Sequence, residues 1–229
     1  MKNSRKKATE ITREYAMDKL ETHPFFLVRI LNESRIRLLL KKAGDIDGKV
    51  IADIGCESGY VLFRLLKKGL PKKAYGVDIS SYALDRARKT AKELNVSDKM
   101  VFINADAENV KLRDNTADIT IHSNVLEHLK NPQKGFDEAV RITKKHGKII
   151  FHLPNEKMLI GVKRFVKKCF PKLLGHLEIV TPGHIHVPDR KFINNLINSC
   201  PCPVRVVSLK KGPAISIIGL YWYLVLEKI

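Results

Sequence analysis

A glycine-rich turn near residue 55 carries the residue types best suited to binding a ligand. Residues 50–59 read VIADIGCESG, so a short apolar run is followed by an acidic residue and two spaced glycines. Glycine lets the backbone approach a ligand closely and take conformations that other residues resist. A helix that begins after such a turn also presents free N–H groups at its N-terminus. The stretch is therefore predicted to be a strand, a ligand-binding turn and the start of a helix.

Three aspartates are predicted to lie at the ends of three successive strands. Asp53 ends the first strand, Asp78 ends the second and Asp106 follows the third. An acidic side chain at the end of the second strand can accept hydrogen bonds from both hydroxyls of a ribose. A lone aspartate in such a place is more often a helix cap or a turn residue. Three in succession instead favour a site for an adenosine-containing cofactor.

The spacing of the glycines argues against a nicotinamide dinucleotide. The fingerprint for that cofactor is G-x-G-x-x-G, and counting from Gly55 its second and third glycines fall on Glu57 and Tyr60. The Glu57 carboxylate would also repel a pyrophosphate that passes the turn. The sequence therefore predicts a different adenosine cofactor.

The same turn resembles the first motif of the class I S-adenosylmethionine-dependent methyltransferases, D/E-x-G-x-G-x-G. Asp53, Gly55 and Gly59 match the motif, and Glu57 stands where its middle glycine is usual. The resemblance covers roughly residues 48–155 and implies S-adenosylmethionine as the cofactor. A zwitterionic ligand with a sulfonium tolerates a nearby carboxylate better than a pyrophosphate does. We expect Glu57 to strain the turn, to weaken binding or to mark a specialised pocket.

The resemblance also implies which residues surround the cofactor. The turn would wrap its amino-acid portion, Asp78 would bind the ribose, Ile79 would pack on the adenine, and Asp106 would accept a hydrogen bond from the adenine amino group. The implied cofactor-binding residues are Asp53, Gly55, Cys56, Glu57, Gly59, Asp78, Ile79, Asp106, Ala107, Ser123 and Asn124.

The segment after the fourth predicted strand is a candidate for the reacting end of the site. Methyl transfer from a sulfonium requires alignment of the acceptor and often removal of a proton. Residues 123–129, SNVLEHL, resemble the branch that includes the ubiquinone-biosynthesis C-methyltransferases, in which this segment lies beside the methyl group. His128 is a candidate general base because histidine titrates near neutral pH. The alternative is that Glu127 and His128 only anchor the loop by hydrogen bonds, and we favour this alternative for Glu127.

A second pair of histidines, His184 and His186, lies in residues 181–188, TPGHIHVP. On an extended segment both imidazoles point to the same side, where they would form a base, an anion-binding lip or a metal pair. Metal is the least expected of these and we predict no metal site, because a zinc site needs a nearby third ligand, which only His152 or His176 might supply. The segment resembles one that borders the acceptor pocket in methyltransferases acting on sugars and lipid-linked glycans. We predict that His184 or His186 contacts the acceptor.

Strands and helices alternate along the middle of the chain, which is typical of a parallel sheet covered on both faces. Such sheets bind ligands outside the carboxyl ends of their strands. The predicted fold is α/β, a Rossmann-like three-layer methyltransferase fold with a mostly parallel seven-stranded sheet, N-terminal helices and an insertion after strand 5. Strands are predicted at 49–54, 74–77, 100–104, 117–122, 148–153, 204–208 and 220–227, and helices at 60–68, 80–94, 133–143 and 189–199.

The 229 residues fit one methyltransferase domain. Its predicted parts are N-terminal helices at 1–44, the cofactor-binding core at 48–155, a basic insertion at 156–188, and a C-terminal helix and strands at 189–229. The N-terminal part reads as two helices broken at His23-Pro24, because proline interrupts helical hydrogen bonding. The second of these helices has an apolar stripe of Phe26, Ile30, Leu31, Ile36, Leu39 and Leu40, with Arg29, Arg35, Arg37, Lys41 and Lys42 between.

The charge is strongly positive, since 42 Lys and Arg against 24 Asp and Glu give +18. Such a balance favours anionic partners, or else serves solubility. The insertion is a predicted basic amphipathic helix, because apolar residues at helical spacing alternate with Lys and Arg on the other face and residues 157–175 contain no acidic side chain. The apolar residues are Val162, Phe165, Val166, Phe170, Leu173 and Leu174, and the basic ones are Lys163, Arg164, Lys167, Lys168 and Lys172. The apolar side of this helix would serve as a lid over the site, its cations would lie on a membrane surface, or they would contact RNA phosphates.

The expected acceptor is a small molecule, a glycan or a lipid-linked compound. The alternatives are an RNA methyltransferase and a non-catalytic S-adenosylmethionine-binding module. RNA ranks below a small molecule or lipid, because the basic stretch lacks interleaved aromatic residues for stacking on bases. With no spanning apolar run and no secretory signal, we expect a cytoplasmic protein that is at most peripheral to a membrane.

Overall fold

One seven-stranded sheet, with strand order β3-β2-β1-β4-β5-β7-β6, forms the centre of the protein. The computed structural model describes residues 26–169, 183–212 and 219–229. Strands β1 to β5 run parallel, and β7 is antiparallel to both β5 and β6. The strands are β1 (Val50–Ile54), β2 (Lys73–Asp78), β3 (Met100–Asn104), β4 (Ala117–Ser123), β5 (Thr143–Pro154), β6 (Val204–Gly212) and β7 (Tyr221–Lys228).

Helices cover both faces of this sheet. The described helices are α1 (Phe26–Ala43), α2 (Tyr60–Leu65), α3 (Ser81–Glu93), α4 (Pro132–Ile142), α5 (Glu156–Cys169) and α6 (Arg190–Asn198). Successive strand residues alternate between two apolar cores: Ile149 and Phe151 pack with α4 and α6, whereas Ile150 packs with α1 and α2. Because side chains alternate along a strand, a strand buried on both faces is apolar throughout. The predicted α/β three-layer fold is confirmed.

Three helices begin at the polar residues that their sequences provide as caps. The side chains of Ser80, Asn131 and Asp189 accept hydrogen bonds from backbone N–H groups three residues further along the chain. Each bond satisfies a donor that the first turn of a helix leaves unpaired. Pro132 follows Asn131 at the first helical position, where its missing N–H costs nothing.

The bounds of several elements differ from those predicted. Strand β5 begins at Thr143, five residues earlier than expected, because Thr143 pairs with Ala117 before an irregularity interrupts the ladder. The intervening residues 144–146 are polar and show no apolar alternation, so the sequence does not reveal this part of the strand. Strand β6 also extends beyond its predicted end, to Gly212, and α2 ends at Leu65 rather than at residue 68.

Helix α1 departs from its predicted amphipathic pattern at two residues. Ile36 and Leu39 are buried as expected, but Ile30 is 43% exposed. Arg35, assigned to the polar side, is buried: its guanidinium donates to Asn32 Oδ1 at 2.6 Å and lies over the Tyr221 ring. These contacts compensate a buried cation, so Arg35 belongs to the interior. The predicted break at His23-Pro24 lies outside the described residues.

The insertion after β5 begins with α5. Its basic and apolar composition matches the predicted amphipathic helix, although residues 170–182 lie outside the described part of the chain. Among the helices described, none combines the length and the apolar character needed to cross a membrane.

The amino-terminal edge of the sheet depends on Asp118. Its Oδ2 accepts the Val50 N–H at 2.8 Å, and its Oδ1 accepts from Lys144 Nζ at 2.7 Å. Burial alone would raise the pKa of Asp118, but these two donors hold it below its usual value. Since the pKa is lower in the folded than in the unfolded chain, the stabilisation is present above the unfolded value near 4 and is lost as pH falls through the folded value.

We predict that Asp118→Asn lowers the free energy of unfolding by about 1 kcal/mol at pH 7, a value reduced by the partial exposure of the pair. The difference from the parent should shrink as pH falls from about 5 to 3, because Asp118 is then protonated. Urea unfolding at several pH values measures it. The control is Asp85→Asn, which removes only an exposed pair with Arg88 and should change stability by less than about 0.5 kcal/mol. A pH-independent difference would contradict the assignment.

Candidate functional site

In the turn between β1 and α2, every second residue from 55 to 59 has a left-handed backbone conformation. Gly55, Glu57 and Gly59 have φ angles of 73°, 52° and 81°. The left-handed conformation is readily accessible to glycine but costs another residue about 1 kcal/mol. Glu57 therefore keeps the backbone that a middle glycine would have, at the cost of local strain. Of the three effects expected for Glu57, strain in the turn is the one the structure shows directly.

Packing explains the two glycines that match the motif. A Cβ on Gly55 would lie 2.2 Å from Val125 Cγ2, and one on Gly59 would lie 2.7 Å from Phe63 Cε2. The N–H groups of Gly55 and Cys56 both donate to the Val77 carbonyl, at 2.7 and 3.1 Å. The turn is thus held against the end of β2 and cannot move away from an added side chain.

Asp78 ends β2 and joins two turns. Its Oδ2 accepts from the Glu57 N–H and its Oδ1 from the Ser80 N–H, both at 2.8 Å. Burial raises the pKa of Asp78, and the backbone donors oppose that shift. A carboxylate has about four acceptor positions, and the Ile79 N–H also contributes here, so the group keeps capacity for a further donor. Asn104 fixes the neighbouring backbone, since its Nδ2 donates to the carbonyls of Asp78 and Ile79.

Three carboxyl groups, those of Asp53, Glu57 and Asp78, lie near the Cys56 thiol. Asp53 is buried, and its Oδ2 has no hydrogen-bond partner within the described chain. Burial, followed by the nearby Asp78 carboxylate, raises the pKa of Asp53 well above its usual value. Burial also raises the pKa of the Cys56 thiol, with further contributions from Asp78, Asp53 and Glu57. Converging carboxylates favour a ligand that carries positive charge.

The residues predicted for the adenine end lie beside this cluster. Ile79 is half-buried, Ala107 is buried and Asp106 is exposed. Asp106 Oδ1 accepts the Glu108 N–H at 2.9 Å, which is a turn interaction. A role of Asp106 toward adenine stays a prediction.

Ser123 and Asn124 lie at the end of β4, next to β5. Ser123 Oγ lies 3.0 Å from His152 Nδ1, and the Asn124 N–H donates to the His152 carbonyl at 2.9 Å. Asn124 has a left-handed backbone (φ 54°), and its side-chain oxygen is buried with no partner among the described residues. The turn directs polar atoms toward the same edge as the glycine turn.

The candidate catalytic histidines take separate positions. The His128 and His184 rings meet edge to face with centroids 4.7 Å apart. The His186 ring instead lies 3.0 Å from the Leu129 carbonyl and packs near Phe192. Both rings nevertheless contact the turn after β4, whereas Ile185 and Val187 are exposed, so the expected same-side arrangement stays a prediction.

Burial lowers the pKa of His128, which the Gly183 carbonyl, 3.0 Å from its Nδ1, partly opposes. That contact requires Nδ1 to carry the proton, so Nε2 is the basic atom of a neutral ring. His184 Nδ1 lies 2.7 Å from Glu156 Oε1. Both rings are therefore oriented through Nδ1.

Glu127 anchors the segment in a different way from that predicted. Its main-chain carbonyl accepts the N–H groups of Ile185 and His186, at 2.8 and 3.2 Å. Its carboxylate is buried and accepts no hydrogen bond from the described residues. Burial, followed by the proximity of Glu156, raises the pKa of Glu127 to about 8.

We call the buried and half-buried polar side chains around Glu127, His128 and His184 the polar chamber. Four more of its residues are not assigned to the site from the sequence, where only His152 is named, as a possible metal ligand. His152 stacks on Tyr221 with ring centroids 4.8 Å apart, Arg35 lies over the same Tyr221 ring, and Glu156 is buried beside His184. They come from α1, β5, α5 and β7, and only the fold brings them together.

The fold and the turn together define an α/β protein of the class that binds an adenosine cofactor at the carboxyl ends of its strands. Residues 52–151, somewhat less than half of the chain, match the family described as "Methyltransferase domain". The match supports the expected resemblance to the class I S-adenosylmethionine-dependent methyltransferases, which is confirmed over this part of the chain.

Known relatives are similar over different lengths. A ubiquinone biosynthesis O-methyltransferase of Vibrio cholerae is 22% identical over 162 residues, covering 68% of this chain and 64% of the relative. A ubiquinone/menaquinone biosynthesis C-methyltransferase of Roseobacter denitrificans is 26% identical over 57% of this chain and 52% of the relative. The structure of an S-adenosylmethionine-dependent methyltransferase from Aquifex aeolicus superposes with a TM-score of 0.65 at 16% identity, covering 94% of this chain and all of that one. The chain thus spans under two thirds of the length of the first curated relatives.

We predict that Gly55→Ala lowers the free energy of unfolding by about 3 kcal/mol, because strain in the left-handed region adds to overlap with Val125. Gly48→Ala is the matched control: its φ is 65° and nothing lies within 4 Å of the added Cβ. It should cost only about 1 kcal/mol.

Urea unfolding of Gly55→Ala, Val125→Ala and the double variant separates the two contributions. Removing the Val125 methyls should restore about 1–2 kcal/mol to the Gly55→Ala background, measured as a coupling energy. Equal costs at residues 48 and 55 would show that packing does not require Gly55.

Proposed function

We propose that the protein transfers the methyl group of S-adenosylmethionine to a small-molecule, glycan or lipid-linked acceptor. The observation that carries this proposal is the Asp78 carboxylate, which holds the glycine turn through the Glu57 N–H and keeps capacity for a further donor. The methyltransferase domain match over residues 52–151 and the methyltransferases among its relatives support it.

The residues present fit the cofactor. The unpartnered, buried Asp53 Oδ2 and the carboxylates near Cys56 suit a ligand with a sulfonium and an ammonium group. The cofactor supplies the electrophilic methyl group. In the proposed pose the turn of residues 55–59 encloses its amino-acid end and Asp78 accepts from its ribose hydroxyls. Ile79 and Ala107 provide apolar contact for the adenine, with Asp106 at its rim.

The chamber at the ends of β4 and β5 is proposed to hold the acceptor. Ser123 and Asn124 lie between this chamber and the cofactor turn. His128 is the proposed general base, because its neutral ring directs Nδ1–H to Gly183 and leaves Nε2 to take a proton. His184 and His186 are proposed to border the acceptor, His184 from inside the chamber and His186 from its edge.

Binding of the cofactor is tested first with Asp78→Asn, by calorimetric titration with S-adenosylmethionine and S-adenosylhomocysteine. The substitution removes the charge that strengthens hydrogen bonds to the ribose, worth about 1.5–3 kcal/mol. We expect affinity to fall by about 10- to 100-fold. Asp85→Asn, an exposed acid on α3, is the control and should bind like the parent.

An affinity for Asp78→Asn within twofold of the parent, in a sample with unchanged thermal unfolding, would contradict the proposed ribose contact. Conversion of S-adenosylmethionine to S-adenosylhomocysteine with any acceptor would exclude the alternative of a non-catalytic binding module.

We further propose that α5 places the protein on an anionic membrane surface, which would give access to a lipid-linked acceptor. Phe165 is 68% exposed, and Arg164 and Lys168 are exposed beside it. Ile185 and Val187, on the segment bound to Glu127, are also exposed apolar residues. A surface of apolar and cationic side chains is typical of interfacial helices.

Liposome co-sedimentation tests this surface. We expect Arg164→Glu/Lys168→Glu to reduce binding to vesicles of anionic lipid by about tenfold or more, since each cation near such a surface contributes about 1 kcal/mol. The control is Lys72→Glu/Lys111→Glu, which reverses two exposed lysines elsewhere and should retain most of the binding. Equal loss in both double variants would indicate general attraction by the net charge. Binding to RNA that falls steeply with salt, without vesicle binding, would favour the RNA alternative.

A further inference from the structure

Three side chains able to bind a metal ion converge where the turn after β4 meets residues 183–186. Glu127, His128 and His184 each offer one ligand atom, and these atoms all lie within 4.8 Å of one another. Glu127 and His128 are adjacent in sequence, whereas His184 arrives from the segment beyond α5. The sequence predicts against a metal because two histidines lack a third ligand; the fold supplies Glu127 as that ligand.

The Glu127 carboxyl group has little polar compensation among the described residues: its own backbone N–H and the Arg35 cation favour its charged form, but neither forms a geometric hydrogen bond with it. It is fully buried, and neither oxygen has a hydrogen-bond partner among the described residues. A buried polar group without a partner is costly, and a buried carboxylate more so. The hydrogen bonds by which Glu127 holds residues 185 and 186 involve its main-chain carbonyl, and they would remain after any substitution of the side chain. A cation held by the carboxylate offsets this cost.

The two imidazoles are already oriented for such an ion. His128 donates from Nδ1 to the Gly183 carbonyl at 3.0 Å, and His184 donates from Nδ1 to Glu156 Oε1 at 2.7 Å. Metal-binding histidines nearly always donate their other ring N–H to a carbonyl or a carboxylate, which fixes the tautomer and strengthens the ligand. The Nε2 atom of each ring is therefore unprotonated and can bind a metal ion.

We propose that Glu127, His128 and His184 bind a divalent first-row ion such as Zn²⁺, with Glu156 as a positioning residue behind His184. Two imidazoles and one carboxylate suit zinc or a neighbouring transition metal better than Mg²⁺ or Ca²⁺, which prefer oxygen ligands. Zinc bonds of about 2.0–2.1 Å set ligand atoms about 3.3 Å apart. The three side chains therefore close modestly around the ion.

Three protein ligands leave at least one coordination position open, as in catalytic rather than structural zinc sites. This consequence rests on the proposed function: an acceptor hydroxyl in the open position would be oriented by the ion and made more acidic. With its Nε2 bound to the ion, His128 would act as a metal ligand, and the ion would take over the role proposed above for His128 as general base. The preferred acceptor class is then one with an oxygen able to bind a metal.

The site is tested by metal binding alone, in protein freed of metals by chelator and without cofactor. We titrate Zn²⁺ by calorimetry and Co²⁺ by its visible ligand-field absorption, which reports nitrogen and oxygen coordination. We expect one ion per chain in the parent. Glu127→Gln and His184→Gln should weaken binding by at least about 100-fold, and Glu156→Gln by about 10- to 100-fold.

His146→Gln is the matched control, since His146 lies on the surface beside Glu227 and outside the cluster. It should bind both ions like the parent. A thermal-unfolding scan with and without Zn²⁺ guards against misfolding: Zn²⁺ should raise the Tm of the parent and of His146→Gln but not of Glu127→Gln.

Absence of binding in the parent, or parent-like binding by Glu127→Gln, would overturn the metal site. Neither result bears on S-adenosylmethionine, whose titration into chelated protein tests the proposed function separately.

Discussion

The Asp78 carboxylate joins the two turns that shape the proposed cofactor site. We call this site, at the carboxyl ends of β1 and β2, the cofactor edge of the sheet. The carboxylate accepts one N–H from the glycine turn after β1 and one from the start of α3. The carbonyl of Val77, the residue before it, accepts two further N–H groups from the same glycine turn. The end of β2 thereby fixes the shape of the turn, including its strained residue Glu57, in the absence of a ligand. A site shaped in advance loses less entropy when its ligand binds.

The ionisable groups at this edge are mostly acidic, whereas the chain as a whole is strongly basic. The net charge is +18, yet Asp53, Asp78 and Glu57 meet around Cys56, and Glu127 and Glu156 meet in the adjoining chamber. A positive surface attracts anions over distances near a Debye length, whereas contact-range carboxylates inside a cleft select positive charge. The two properties would suit the different partners proposed above, an anionic surface or acceptor outside and a sulfonium within.

The sequence predicts those parts of the fold that depend on neighbouring residues. Apolar runs ended by aspartate locate β1 and β2, and Ser80 caps α3 as expected from its position before a helical pattern. Two glycines identify the turn because local sterics require them. The left-handed Glu57 could not be placed in this way, since an acidic side chain gives no signal for positive φ and only the motif marks the position.

The chamber is harder to predict because its members are distant in sequence. Arg35, Glu127 and Glu156 come from α1, the turn after β4 and α5. No periodicity relates them, and each has an ordinary interpretation: a polar helix face, a loop anchor, a helix start. Their burial follows from tertiary packing, which places the middle of α1 over Tyr221 and the start of α5 against residue 184.

The proposed cofactor residues and the chamber residues also differ in whether they lie inside the part of the chain that matches the methyltransferase domain. The proposed cofactor residues at 53–124 lie inside the stretch that matches the methyltransferase domain, residues 52–151. Most of the chamber lies outside it, since Arg35, Glu156, His184 and Tyr221 come from segments before and after the match. The segment that is shared with other methyltransferases therefore holds the proposed methyl donor. On the proposed function, the flanking segments would determine which acceptor fits, and we expect a substitution there to change acceptor choice while leaving the cofactor edge intact.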